Sequence, residues 1–201
     1  MTVMTAIGIE LSRDRRLCAV SLATIEDRKT PRVDIKEYTS PDDAVLRVVR
    51  LARYEPACVG CFLDAQASGE MVDDLKGTGA VYVRELTTAQ ADLAVKTLVK
   101  AVRAIVPKVI LGQHPGLEDA RKDARWTRGQ TRRLDLLASG ADQACLRADA
   151  FAFYGASHQV LPWAGHEGDG QGASVRDYRP GDERMNDRDK FLLSLGYRTQ
   201  P

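Results

Sequence analysis

Short apolar runs alternate with polar breaks over the first forty residues: IGIEL, the turn SRDRR, LCAVSLATI, the stretch EDRKTP, then RVDIKEY. Strand, short turn and strand make a hairpin, and the third run extends it into a meander. The period then changes. Ser40-Pro41-Asp42-Asp43 supplies a side-chain cap, a proline at the first helical position and acids near the positive end of the helix dipole. The helix opened there runs through Tyr54 and puts Ala44, Val45, Val48, Val49, Leu51 and Ala52 broadly on one face. Pro56 ends it, and ACVGCFLD follows without a polar break, as expected of a strand buried on both faces near the middle of a sheet.

A polar loop after Asp64 leads to a short helix near Gly69–Lys76, then Gly77, Gly79 and the strand AVYVREL. Strand, helix and strand in that order predict a right-handed crossover between parallel neighbours. Thr87 and Gln90 have the spacing of a capping box, and the helix after them is expected to reach about Val106, before Pro107. VILGQH is a short apolar piece, Pro115-Gly116-Leu117-Glu118 starts a helix that turns basic, and Trp126–Leu137 reads as extended and partly exposed. Gly140 breaks the chain before Asp142 opens ADQACLRADAFAFYG, whose apolar positions recur at helical spacing. The order predicts an α/β domain over residues 1–160, with a mixed sheet of five or more strands flanked by helices, which is the ribonuclease H-like layout. From Gly165 onward Gly, Asp, Arg and Pro replace core formers, so residues 161–201 are expected to be a tail, flexible or ordered by a partner, with FLLSLGY as a short docking element.

Composition narrows the class. The 201 residues are enough for one domain with a sizeable core, and 44% hydrophobic with 28% charged residues is ordinary for a globular chain. No apolar stretch approaches the ~18 residues of a membrane span and the first residues lack a signal-peptide pattern, so the expectation is a soluble, intracellular protein without membrane contact. Cys18, Cys58, Cys61 and Cys145 all lie inside apolar runs, which suits reduced core thiols. Cys58-Val59-Gly60-Cys61 is a lone CxxC in a strand, where residues three apart should face opposite ways. The sequence has no P-loop, GxSxG, GxGxxG or HExxH motif. Net charge is +1, yet Arg121, Lys122, Arg125, Arg128, Arg132 and Arg133 face only Asp123 within their thirteen residues. Such a cluster can engage a phosphate backbone, or simply be a solvated face.

The chemistry rests on three acids. Glu10 closes IGIEL, Asp64 closes ACVGCFLD and Asp142 opens the last helix. Two strand-end acids and one helix-start acid can gather at a sheet edge and hold hard divalent ions, and phosphodiester cleavage by two metals needs such a set. Each has a plainer role open to it: loop entry for Asp64, an edge-strand acid for Glu10, a dipole-favoured residue for Asp142. Asp149, about two turns beyond Asp142, is a candidate accessory ligand or a salt-bridging acid.

In pattern, the stretch from Ile7 to Tyr154 resembles the nuclease domain of phage terminase large subunits. IGIELSRDRRLCAVSLA is similar to the family's first hairpin, CFLDAQASGEMVDDLKGTGAVYVREL to its second acid, crossover helix and next strand, and SGADQACLRADAFAFYG to its last acidic motif. TTAQADLAVKTLVKAV with ILGQHPGLEDARKDARWTRG resembles the long helix and the basic stretch with tryptophan. The resemblance implies a metal-dependent endonuclease that cuts double-stranded DNA during genome packaging. Glu10, Asp64 and Asp142 would hold two Mg²⁺ or Mn²⁺ ions. Its partners would be a terminase ATPase domain or subunit, the small terminase and the portal, in the cytoplasm of an infected host cell. Two departures stand out: Glu10 where the family usually has aspartate, and no ATPase half in this chain. A resolvase-like nuclease for branched DNA and a metal-free DNA-binding or assembly module are the alternatives.

Overall fold

A computed structural model describes residues 3–160, apart from 28, 56, 67, 128–132 and 137, so the expectations for residues 161–201 lie outside the described part. Six strands, β1 (Val3–Leu11), β2 (Cys18–Glu26), β3 (Arg32–Thr39), β4 (Cys58–Asp64), β5 (Val83–Leu86) and β6 (Ile110–Leu111), form one mixed sheet in the order β5-β4-β1-β2-β3-β6. β1, β2 and β3 are the antiparallel meander, while β4 runs parallel to β1, β5 to β4 and β6 to β3. Among the described residues five helices flank it: α1 (Pro41–Tyr54), α2 (Gly69–Thr78), α3 (Thr88–Val102), α4 (Pro115–Asp123) and α5 (Ala144–Val160).

The caps lie where the side chains predict them. Ser40 accepts the Asp43 N–H at the start of α1, and Thr87 with Gln90 completes a reciprocal capping box on α3. Side-chain alternation along the strands builds two cores. Ile7, Ile9, Leu63 and Cys61 pack on one face with Ala44, Val48 and Leu51 of α1 and Val72 and Leu75 of α2. Ala6, Phe62 and Ala19 pack on the other with α3, α4 and α5. The second face is close-packed around α5, which is buried nearly all round between the sheet and α3. A Cβ on Gly8 would stand 2.1 Å from the Ala148 carbonyl oxygen and 2.4 Å from the Ala152 nitrogen, so only glycine lets the helix lie directly on β1.

Three local expectations change. α3 stops at Val102 instead of about Val106, because the chain must turn there to bring Ile110 N–H onto the Pro31 carbonyl of the sheet edge; Ile105 and Val106 are left exposed. β5 is shorter than AVYVREL and begins at Val83. Cys58 and Cys61 pack on the same face, not opposite ones. The pairing of β4 with β1 slips between Thr5–Cys58 and Ile7–Cys61, two residues against three, as in a bulge, and Gly60 absorbs it with φ +139°, which favours glycine. All four cysteines are free thiols.

Candidate active site

Glu10 lies one residue before the end of β1 and Asp64 ends β4, its parallel neighbour. By alternation both project to the α5 face, Glu10 in phase with Ala6 and Gly8, Asp64 in phase with Phe62. They are 3% and 6% exposed. Such burial of carboxylates requires a cation or donors close by. The chain supplies a cation of its own: Arg147, on the second turn of α5 and only 9% exposed, places Nη1 3.2 Å from Glu10 Oε1 and Nη2 2.5 Å from Asp64 Oδ2. Its guanidinium also lies 5.3 Å from the centre of the Phe151 ring, one turn further on.

Asp142 precedes α5 and is tied to backbone. Its Oδ1 accepts the Ala144 N–H at 2.7 Å and its Oδ2 accepts the Arg13 N–H, also at 2.7 Å. Arg13, in the β1–β2 turn, further donates through Nη2 to the carbonyls of Leu136 and Ser139. This pins the turn after the first acid to the loop before the third. A cavity of about 250 Å³ opens here, lined by Glu10, Asp142 and Arg147 with Ser12, Arg13 and Arg15 among its polar walls; Asp64 does not line it.

Electrostatics set the acids apart. Burial pushes the Glu10 carboxyl up to about 7; Arg147 pulls it back in part, while Asp64 and Asp142 add to the rise. Glu10 Oε2 is buried and has no hydrogen-bond partner among the described residues. The donor set therefore suits a hard divalent ion in kind: carboxylate oxygens only, one of them orphaned. The expected convergence of three acids on one point does not appear, however. Among the described residues no three His, Cys, Asp or Glu side chains are disposed to hold an ion. Instead, the guanidinium of Arg147 bonds Glu10 and Asp64, and two N–H groups bond Asp142.

The other candidates stand apart from these acids. Asp149 faces Ser21 on β2, with 2.5 Å between Oδ1 and Oγ, and is fully buried there. Of the basic cluster, Arg121 and Lys122 are exposed in the last turn of α4, and they line a second cavity of about 440 Å³ with Arg103 and Trp126. Arg125 is exposed, Arg133 pairs with Asp92 of α3 at 3.1 Å, and Arg128 and Arg132 lie outside the described residues. The sequence reading missed Arg147, Arg13 and Arg15. For Arg147 a signal existed: with Asp149 it is one of only two charged residues in the apolar ACLRADAFAF, and a cation in so apolar a helix implies a buried anion opposite it.

The meander, the parallel crossover strands and the helix laid over β1 define the class of fold, ribonuclease H-like, as the resemblance implied. Within that class, two solved phage structures share it. The chain superposes on the HK97 bacteriophage large terminase with TM-score 0.58 and 15% identity, covering 77% of this chain and 39% of that one. It superposes on the large terminase nuclease from thermophilic phage G20c with TM-score 0.54 and 14% identity, covering 75% and 81% respectively. The chain thus spans about two fifths of the HK97 protein. No protein-family profile matches it, and no curated protein does. Among the described residues no helix is long and apolar enough to cross a membrane.

Proposed function

We propose that this chain is a nuclease of the terminase kind, cleaving double-stranded DNA during phage genome packaging. The observation that carries the reading is the pair of buried carboxylates, Glu10 and Asp64, side by side at the ends of two parallel strands, with Asp142 close enough to raise the Glu10 pKa. Glu10, Asp64 and Asp142 are the residues that would hold Mg²⁺ or Mn²⁺. Divalent ions held there would supply Lewis-acid activation of water and of the leaving oxygen. This chain's own part is to fix the acids on a rigid edge and to bring phosphate to it. Arg13 and Arg15 border the acidic cavity, Arg121, Lys122 and Arg125 are exposed on and just after α4, and with Arg128, Arg132 and Arg133 they are the residues assigned to the phosphate backbone. Contacts of this sort hold the backbone without reading bases. An ATPase domain or subunit, the small terminase and the portal are the partners such a nuclease would serve.

Supercoiled plasmid with Mn²⁺ tests the reading. Wild type should nick and linearise it, and Asp64→Asn should lose at least a hundredfold in rate, since one member of the set can then no longer carry charge. Equal rates would sink the proposal. A second reading, a metal-free DNA-binding or assembly module on the same fold, is favoured by one observation: Arg147 already bonds both buried acids.

A further inference from the structure

The two readings meet at Arg147. We propose that its guanidinium is a built-in latch on the acidic site, and that a divalent ion gains Glu10 and Asp64 only by displacing it. The inference rests on the nuclease reading, and it adds a regulation of that site.

Four observations carry it. Arg147 bonds both buried acids at once, through different nitrogens, so the two carboxylates are held by a single cation. An ion that took one oxygen from each would stand against the guanidinium, and like charges at such range in a buried site repel strongly. The guanidinium also has somewhere to go: Arg147 lines the 250 Å³ cavity, whose walls include the polar side chains of Ser12 and Gln143. Finally, the backbone of α5 cannot follow, because Ala148 and Ala152 lie against Gly8, so release is a side-chain movement about a fixed helix. The latch is also placed to respond to DNA. A phosphate entering the cavity beside Arg13 and Arg15 would meet the guanidinium and draw it off the acids, so that substrate would help uncover the metal site.

The test is Mn²⁺ affinity of the full chain, measured by titration calorimetry on wild type, Arg147→Lys and Arg147→Met. Lysine keeps one positive charge but lacks the planar fork that spans two carboxylates. The expected order is wild type weakest, Arg147→Lys tighter and Arg147→Met tightest, with at least tenfold between the extremes. The Mn²⁺-induced rise in Tm should follow the same order. If Arg147→Met does not fold, the wild type and Arg147→Lys pair decides alone. Equal affinities would overturn the latch and leave the nuclease reading standing. No binding by any of them at millimolar Mn²⁺ would overturn the latch and the nuclease reading together, leaving the metal-free module.

Discussion

Asp149 should make this protein more stable in acid than in base. Its carboxyl sits between α5 and β2 with no exposure, one oxygen against Ser21 and the other without a hydrogen-bond partner among the described residues. Burial raises its pKa from 3.8 to about 7; the Ser21 hydroxyl lowers it in part and the nearby Asp34 raises it. Between these two values the folded protein holds a proton that the unfolded chain has released. Stability from this group is therefore complete below about pH 4, falls as pH rises, and levels off above about 7. The gap between 3.8 and about 7 corresponds to about 4 kcal/mol, at 1.36 kcal/mol per unit. Asp149→Asn has nearly the same shape and no charge to lose, so it should remove this slope. Urea unfolding of both proteins at pH 5 and pH 8 measures it. Glu10 titrates with the same sign in both proteins, so the difference between them isolates Asp149. The variant should exceed wild type by about 2–4 kcal/mol at pH 8, and by much less at pH 5. Parallel pH dependence in the two proteins, or a variant weaker at pH 8, would refute the reasoning.

Gly8→Ala should destabilise by about 3 kcal/mol or more, since its Cβ would meet two backbone atoms of α5 that can retreat only if the whole helix moves. An unchanged melting temperature would contradict the close approach. Replacing Arg121 and Lys122 together by alanine should reduce the slope of log Kd for duplex DNA against log salt by about 2, nearly one for each phosphate no longer neutralised. A slope equal to that of wild type would remove both from the DNA-binding surface.

Element type was legible from the sequence wherever local chemistry decides it. Ser40-Pro41, the Thr87–Gln90 box and the apolar ACVGCFLD announce their elements without reference to the rest of the chain. What tertiary packing decides was not legible. The early end of α3 follows from the need to bring Ile110 to Pro31, and the shared face of Cys58 and Cys61 follows from a slip in strand pairing. At the site, Glu10 and Asp64 could be placed as neighbours because strand ends in parallel order lie at one edge. Periodicity could not reveal that an arginine more than eighty residues from Asp64 would stand between them. Asp149 shows the limit of face arguments: two turns beyond Asp142 it is buried against β2, because α5 is covered on nearly all sides and has no single inner face.

The Arg13–Asp142 hydrogen bond joins residues 129 apart in sequence, and Arg147 reaches 137 residues back to Glu10. Closing such spans is slow, since the loop entropy must be met before the interaction returns anything. α5 is the last described helix in the chain, yet it completes the core over β1, the first described strand. A partly synthesised chain therefore carries an uncovered sheet face and lacks Arg147 and Asp142 altogether. The third acid joins Glu10 and Asp64 only once Asp142 has been added and α5 has folded back over β1, and the arginine that covers the first two arrives with it.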